Sequence, residues 1–283
     1  MAEMAENDHL VELLLNSKDI DQLYGDSLDS LLHLAIHEDD EEMVKVLIRS
    51  GANLNIANAD DYTPLGLALS LDNSRGTAIA KMLVRAGAFP NMKSVMSLMD
   101  SIGETPLHIA SETNNFPEAC ELLLTRGARL NARDHFLSTP LHTSISSRQD
   151  SNTEILMQHG ADLNAVDKMN APPLYWCRND TMIKYLLITG APLTRAMLEH
   201  FPYKWLLMWE STQAAWLQNH ISQPRSLRAL CCFAIRQHLN NVSDGKTIMW
   251  RIQALPIPNP LKDLLIFRGL HASLCQGDQR FPH

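Results

Sequence analysis

The chain has 283 residues, of which 45% are hydrophobic and 20% are charged, and its formal net charge is -8. This length and composition allow one large or two modest buried cores and exclude a chain that is disordered throughout. An acidic chain without a basic stripe is not expected to bind nucleic acid. No apolar run reaches the roughly 18 residues of a membrane span, and the acidic N-terminal segment is unlike a signal peptide. We therefore expect no membrane contact and a cytoplasmic location, with a nuclear one also open.

Sequence motifs give no indication of catalysis. The P-loop, the hydrolase motif G-x-S-x-G, the zinc motif H-E-x-x-H and the calcium loop are all missing from the sequence. Five cysteines, odd in number and without a C-x-x-C spacing, predict reduced thiols rather than disulfides or a zinc site. We therefore predict a protein that is not an enzyme and that uses neither a metal ion nor another cofactor.

The first predicted element is a helix in residues 9–21, and after it the sequence repeats itself. A Gly-Ala pair recurs at positions 51, 87, 127, 160 and 190. Upstream of each pair lies a segment such as "TPLGLA" or "TPLHIA", whose second residue falls at positions 31, 64, 106, 140 and 173. The steps between these positions are 33, 42, 34 and 33 residues, which indicates a repeat protein.

Each repeat predicts two helices. Thr can accept a hydrogen bond from the free N–H groups at a helix start, and Pro suits the first helical turn. The second helix ends in an apolar pair before Gly, which supplies a left-handed cap, as in "ELLLTRGA". The pattern resembles the ankyrin repeat of about 33 residues. This resemblance implies an all-α solenoid of helix-turn-helix repeats with projecting fingers over residues 5–194, made of a degenerate N-terminal cap and about five repeats.

Three histidines recur at one position of the repeat: His33, His108 and His142. The ankyrin resemblance implies that each forms a hydrogen bond tying adjacent loops. A metal site or a catalytic site would need convergent ligands, whereas successive repeats hold these residues apart. We therefore predict a structural role for the three histidines.

One finger is longer than the others. From the Asn that ends one repeat to the Thr position of the next, most connections span eight residues, whereas the connection at 91–105 spans fourteen. The insertion carries methionines, whose flexible side chains adapt to a partner. We predict that the finger binds a target protein, with a tolerated insertion of no function as the alternative. The predicted target-binding residues are Met96, Leu98 and Met99 on this finger and Phe136 on the next one.

Residues 195–221 change in character. Trp205, Trp209 and Trp216 fall near one face at helical spacing. We predict a helical connector that covers the end of the solenoid, with a partner-binding aromatic groove as the alternative.

The segment "PRSLRALCCFAIRQHL", residues 224–239, is predicted to be an amphipathic helix. Apolar residues at i, i+3, i+4, i+7 and i+8 predict one face for burial. These residues are Leu227, Leu230, Cys231, Ala234 and Ile235. Phe233 and Leu239 widen the apolar surface to more than half of the circumference. We therefore expect cover from two directions, one by the chain itself and the other by a partner.

A proline-rich strip follows, formed by Leu255, Pro256, Ile257 and Pro258. The prolines impose an extended, rigid backbone without competing donors, and a further helix is predicted from Asn259. The order Ser-Leu, three residues, Cys231, three residues, Ile235 resembles the elongin-binding box of the SOCS-box family. The strip resembles the cullin box of the same family in the form that points to cullin-5.

Ankyrin repeats followed by these two boxes resemble the ankyrin-repeat and SOCS-box family. The resemblance implies a solenoid at 5–194, the connector at 195–221, a SOCS box at 222–267 and a poorly ordered tail at 268–283. It also implies a substrate-recognition subunit of a cullin-5 RING ubiquitin ligase. In that family the face described above, from Leu227 to Ile235, would bind Elongin C, which is joined by Elongin B. The strip would bind cullin-5, which is joined by a RING-box protein, and the repeats would bind an unknown protein substrate.

The sequence departs from the family pattern at Cys232, where Arg is common, and at Asp263, near which Tyr is frequent. The alternative function is a non-ligase ankyrin scaffold or inhibitor whose C-terminal helices only cap the solenoid. A further alternative is that the chain is itself a substrate, since Asn164 resembles ankyrin asparagines that become hydroxylated.

Overall fold

The computed structural model describes residues 20–71, 74–92, 103–113, 117–191, 227–243 and 247–267. The chain divides into two compact units, Met1–Arg129 and Leu130–His283. The described residues are mainly helical, and their only β-structure is an antiparallel hairpin in the first unit. In this hairpin β1 (Leu23–Tyr24) pairs with β2 (Asp29–Ser30). The prediction of an all-α fold is confirmed. The connector at 195–221, the tail at 268–283 and most of the helix predicted at 9–21 lie outside the described residues.

The helices of the first unit form pairs that stack on one another. The members are α1 (Leu31–His37), α2 (Glu41–Arg49), α3 (Pro64–Ser70), α4 (Ser74–Ala86), α5 (Pro106–Glu112) and α6 (Pro117–Thr125). The first helix of each pair contacts the first helix of the next, and the second helices contact in the same way. Leu47, Leu83 and Leu123 lie in the buried core between the second helices. Each pair therefore buries its apolar faces against its neighbours, as repeat proteins do.

The second unit holds two further pairs and the C-terminal helices. The pairs are α7 (Pro140–Ser146) with α8 (Asp150–His159), and α9 (Pro173–Trp176) with α10 (Asp180–Thr189). The C-terminal helices are α11 (Leu227–Val242), α12 (Met249–Ala254) and α13 (Asn259–Leu265). The first helix of the last pair, α9, is a single turn that contacts α7.

Helix ends follow the local chemistry that the sequence predicts. Thr63 Oγ1 accepts a hydrogen bond from Gly66 N at 3.2 Å, and Pro64 occupies the first turn of α3. Gly160 and Gly190 close α8 and α10 with positive φ angles of 101° and 113°. A side chain would be strained in that conformation, so glycine is the residue that fits there.

Two of the recurring histidines, one in each unit, join successive repeats. His33 Nε2 donates to the carbonyl of Tyr62 at 2.9 Å, and His142 Nε2 donates to the carbonyl of Ala171 at 3.2 Å. In both cases the acceptor lies 29 residues further along, in the next finger. All three histidines, including His108, are buried. These contacts agree with the structural role that the repeat position predicts.

Candidate protein-docking site

The three C-terminal helices share a small hydrophobic core. Its buried members come from α12, from α13 and from the residues flanking these helices: Ile248, Ile252, Leu265 and Ile266. Partly buried residues pack around them: Cys232, Leu239, Met249, Leu255 and Ile257. Helix α11 and the proline-rich strip therefore contribute to one common core.

Helix α11 has an inner face and an outer face. Cys232, Arg236 and Leu239 form the inner face at i, i+4 and i+7, and Arg236 is buried with 7% exposure. At 100° per residue, the outer face formed by Cys231, Ala234 and Ile235 is centred roughly 110° from the inner one. The helix is therefore packed against its own chain on one side and exposed on the other.

The predicted elongin-binding residues lie on the outer side of α11, as far as they are described. Cys231 and Ala234 are exposed, and Ile235 is 40% exposed. Val242, also exposed at 48%, continues this face about two turns further. The side chains of Leu227 and Leu230 lie outside the description, although both residues belong to the helix. Within the described residues this apolar face is not covered, and cover by a partner stays a prediction.

Arg236 joins the C-terminal helices to the ankyrin repeat before them. Its guanidinium donates one hydrogen bond to the carbonyl of Met157 and another to the carbonyl of Leu265. Both carbonyls belong to the last turn of a helix, α8 and α13, where fewer helical N–H groups are available as donors. The Met157 carbonyl also accepts a hydrogen bond from Gly160 N at 3.1 Å. Burial lowers the pKa of Arg236 to about 10, so the side chain is still charged at neutral pH. A cation is the favoured partner at two helix C-termini.

Further contacts hold the same junction. Ile248 N donates to the carbonyl of His159 at 3.0 Å, and His159 Nδ1 lies 2.8 Å from Thr247 Oγ1. The Phe267 ring packs between two partners, with the Arg236 guanidinium 4.0 Å from its centroid and the Tyr185 ring edge-on at 6.4 Å. The C-terminal helices are therefore attached to α8 and α10 by polar and aromatic contacts together.

Sequence reasoning missed Arg236. An arginine within an apolar helix normally extends into water, and no nearby carboxylate marks it as buried. The available signal was the i, i+4, i+7 spacing of Cys232, Arg236 and Leu239, which defines a second apolar stripe beside the predicted one. Cys232, seen in the sequence only as a departure from a family pattern, is a half-buried member of that stripe.

The proline-rich strip alternates between buried and exposed residues. Leu255 and Ile257 are partly buried against the common core, whereas Pro256 and Pro258 are exposed. Leu255 has an extended backbone, and Ile257 N donates to the carbonyl of Leu255 at 2.8 Å. Of the four predicted cullin-binding residues, two therefore hold the strip in place and two present their rings to solvent.

The comparisons with known families agree with this arrangement. A family model described as ankyrin repeats matches residues 1–94 and 107–196, which is more than half of the chain. A second model, described as the SOCS box, matches residues 223–266. The chain belongs to the ankyrin-repeat and SOCS-box family. Ankyrin repeats and SOCS boxes are protein-interaction domains, and the SOCS box of this family member contains α11, α12, the strip and α13.

Individual relatives share only part of the chain. An ankyrin repeat protein of fowlpox virus is 39% identical over 127 residues, which are 44% of this chain and 36% of the relative. Human Rabankyrin-5 is 34% identical over 137 residues, again 44% of this chain but only 11% of the relative. The chain therefore spans about a third or less of the length of these proteins, and the likeness is confined to less than half of this chain.

The predicted target-binding residues are only partly placed. Phe136 is 53% exposed at the tip of its finger. Met96, Leu98 and Met99 lie outside the described residues, so their role stays a prediction. Asn164, the predicted hydroxylation site, is exposed.

Two kinds of feature are absent from the described part of the chain. Within it, no group of three or more His, Cys, Asp or Glu side chains could hold a metal ion. None of its helices is both long enough and apolar enough to cross a membrane.

The junction between α8 and the SOCS box is expected to weaken in acid. Burial lowers the pKa of His159 from 6.5 to about 4. Between pH 6.5 and about pH 4, His159 is protonated in the unfolded chain but neutral in the folded chain. The contribution of neutral His159 to the free energy of unfolding is therefore complete above about pH 6.5 and is lost as the pH falls toward about 4. On acidification, His159 alone should lower the free energy of unfolding by a total on the order of 3 kcal/mol. The measurement is urea unfolding at a series of pH values.

The matched variant is His159→Asn, which keeps a polar atom near Thr247 but does not titrate. It should unfold with a shallower dependence on pH than the unchanged chain. Part of the slope should remain, because burial also lowers the pKa of His33 and of His142. Equal slopes for the two proteins would contradict the assignment to His159.

Proposed function

We propose that this protein is the substrate-recognition subunit of a cullin-5 RING ubiquitin ligase. Its SOCS box binds Elongin C, with Elongin B attached, and cullin-5, whose RING-box partner brings the charged ubiquitin-conjugating enzyme. The ankyrin repeats bind the protein to be modified. The work is done in the cytoplasm or the nucleus, and the chain contributes position rather than a catalytic group.

The observation that carries this proposal is the outer face of α11. Cys231, Ile235 and Val242 present an apolar surface to solvent. The inner face of the same helix packs against the chain through buried Arg236 and two partly buried residues. An exposed apolar stripe on an anchored helix is typical of a surface that another protein covers. Small Cys231 and Ala234 would let a partner helix approach closely.

The anchoring also fits the function. Ubiquitin transfer is accelerated when the target lysine is held near the reactive thioester, which needs a defined geometry between receptor and ligase. Arg236 hydrogen-bonds α8 of the ankyrin repeats and α13 of the SOCS box at the same time. The last repeats and the SOCS box are therefore joined by direct contacts in addition to the chain that links them.

The alternative is a non-ligase scaffold whose C-terminal helices cap the repeats, and the same junction is consistent with it. Contacts from Thr247 and Ile248 to His159 would serve a cap equally well. A capping role does not explain the exposed apolar outer face of α11, and we therefore favour the ligase function. Coexpression with Elongin B and Elongin C distinguishes the two: the ligase subunit should purify as a complex with one copy of each, and a cap should purify without them.

A variant of the strip tests cullin binding separately. Replacing Pro256 and Pro258 with alanine should weaken cullin-5 binding about tenfold, because exposed contacts are lost and the strip becomes less rigid. Leu255 is left unchanged, since it supports the core. This chain is purified as a complex with Elongin B/C, and the complex is titrated with cullin-5.

Elongin binding should be unchanged in this variant, because neither proline lies on α11. The matched control is Pro260→Ala, an exposed proline in the first turn of α13. Equal cullin-5 affinity for the double variant and the control would mean that the strip has only a structural role.

A further inference from the structure

Two neighbouring fingers of the second unit present apolar side chains at their tips. Phe136 is 53% exposed and Leu137 is 42% exposed on the first finger, and Met169 is 68% exposed on the second. Lys168 lies between them, with Nζ 5.5 Å from the centre of the Phe136 ring. We call these four residues the finger-tip patch. Clustered exposed apolar groups are more often interaction sites than isolated ones are.

The backbone under the finger-tip patch is held in place. Asp134 Oδ1 accepts hydrogen bonds from Phe136 N at 2.8 Å and from Ser138 N at 2.7 Å. Asp167 Oδ1 does the same for Met169 N at 2.8 Å and Ala171 N at 2.9 Å. Since the backbone conformation is fixed in advance, a ligand would lose little binding energy in ordering it.

The two fingers are also joined to each other. Lys168 N donates to the carbonyl of Phe136 at 2.8 Å. Arg133 Nη1 donates to the carbonyl of Val166 at 2.7 Å, which adds a second link between them. The patch is therefore one continuous surface across two repeats.

Leu137 occupies a position where leucine is unfavourable. Its φ angle is 59°, a left-handed conformation that costs a non-glycine residue roughly 1–2 kcal/mol. Asn170, one repeat later, has a φ of 58° and is a residue type that tolerates this conformation. Because Leu137 is half exposed, packing in the core does not explain why a large apolar side chain is kept there. Leu28 has the same conformation at the equivalent position of an earlier repeat, so the backbone strain belongs to the finger turn. Leu137 differs from Leu28 in belonging to the finger-tip patch.

The charges around the finger-tip patch have one sign. Arg133 and Lys168 are exposed, whereas the carboxylates of Asp134 and Asp167 are buried in the turns. Trp176 Nε1 also donates to Asp167 Oδ2 at 2.8 Å, so this carboxylate points inward. The remaining acidic residue of the two fingers, Asp162, is at the base, where it accepts from the backbone of Asn164. The tips are basic although the chain as a whole carries a charge of -8.

We propose that the finger-tip patch binds an apolar side chain of a target segment that is flanked by Asp and Glu residues. The identification of this partner as the protein to be ubiquitinated rests on the proposed function. Phe136, Leu137 and Met169 would contact the apolar side chain, and Lys168 with Arg133 would face the carboxylates. Opposite charges at the rim of an apolar contact guide association and select the partner.

Two other occupants fit the charges less well. A second copy docked through the same patch would bring Lys168 and Arg133 of both copies face to face, since a two-fold contact is self-complementary. An anionic membrane would attract the basic tips, but it would repel a chain of net charge -8.

The test is selection of phage-displayed random peptides on the full-length chain, followed by fluorescence polarisation with the selected peptides. Peptides with an apolar residue flanked by Asp or Glu should be enriched. Leu137→Asn and Lys168→Glu should each weaken their binding at least about fivefold, and moderate salt should weaken it further. Leu137→Asn is suited to the test because it should relieve strain and leave the fold intact.

The matched control is Leu28→Asn. Leu28 has the same position in an earlier repeat, with a φ of 50° and 48% exposure, but it is not part of the patch. Its replacement should leave peptide affinity unchanged. Enrichment of basic peptides, equal binding by Leu137→Asn, or no selected peptide at all would overturn the proposal.

Two parallel measurements address the other occupants and the underlying function. Light scattering that shows a dimer broken by Leu137→Asn, or retention by phosphatidylserine vesicles that Lys168→Glu abolishes, would also overturn the proposal. Elongin B/C binding is measured for each variant and should not change, because no residue of the patch belongs to α11. If the unchanged chain did not bind Elongin B/C, the ligase proposal would be contradicted, whereas the result on peptide binding would be unaffected.

Discussion

Replacing Leu227 and Cys231 together with alanine should abolish stable binding of Elongin B/C. Cys231 lies on the exposed outer face of α11, and Leu227 precedes it by one helical turn on the same side. Truncating a buried apolar anchor at an interface typically costs about 2 kcal/mol, so the pair should lower affinity roughly a thousandfold. The measurement is isothermal titration with purified Elongin B/C, supported by co-purification.

The control for this variant is Gln237→Ala. Gln237 is exposed on the same helix but points away from both the inner and the outer face. Its replacement should leave elongin binding unchanged. If the double variant kept wild-type affinity, α11 would not be an elongin-binding box, and the cap function would become the better proposal.

Replacing Arg236 with alanine should detach the SOCS box from the ankyrin repeats. The change removes two charge-assisted hydrogen bonds and leaves the carbonyls of Met157 and Leu265 buried without these donors. It also removes the cation above the Phe267 ring. After allowing for the desolvation cost that disappears with the charge, we expect a loss of about 3 kcal/mol. Urea unfolding gives the magnitude, and hydrogen exchange in α12 and α13 shows where protection is lost.

Arg236→Lys separates charge from geometry. A single ammonium on a flexible stem cannot reproduce the planar fork that reaches two carbonyls, so less than half of the stability should return. Arg178→Ala, an exposed arginine of the same unit, is the matched control and should be neutral within about 0.5 kcal/mol. Unchanged amide protection in α13 of Arg236→Ala would show that the junction does not depend on this residue.

The repeat array could be predicted from the sequence because its information is local. Thr-Pro at a helix start and Gly at a helix end act through hydrogen bonds and backbone angles within a few residues, and the period of about 33 residues multiplies the signal. Thr63, Pro64 and Gly160 behave in the structure as these rules require. The order of elements within the SOCS box, a helix followed by the strip, could be predicted in the same way. The prediction used the spacing of Cys231 and Ile235 and the prolines that follow.

The strip shows where local information ended. Its composition predicted an extended, rigid backbone, and Leu255 is extended. Composition could not say which side chains are anchors, because that depends on where the core lies. Only packing against Ile252 and Leu265 places Leu255 and Ile257 inward and the prolines outward. The finger-tip patch is similar, since Phe136 and Met169 belong to different repeats and meet only when the repeats stack.

The sequence by itself determined the type of each element and the residues available for docking, whereas the tertiary structure decided which surfaces remain free. A helix that is apolar over more than half of its circumference has two faces that could be buried. The sequence of the helix alone does not determine which of the two packs against the chain. On α11 the choice was made by the carbonyl of Met157, 79 residues earlier in the chain, which accepts the guanidinium of Arg236. A buried arginine is tolerable only where acceptors converge on it, and the ends of α8 and α13 supply them. Burying that side of the helix leaves Cys231, Ala234 and Ile235 facing outward, because the other face of a helix packed on one side must point to solvent or to a partner.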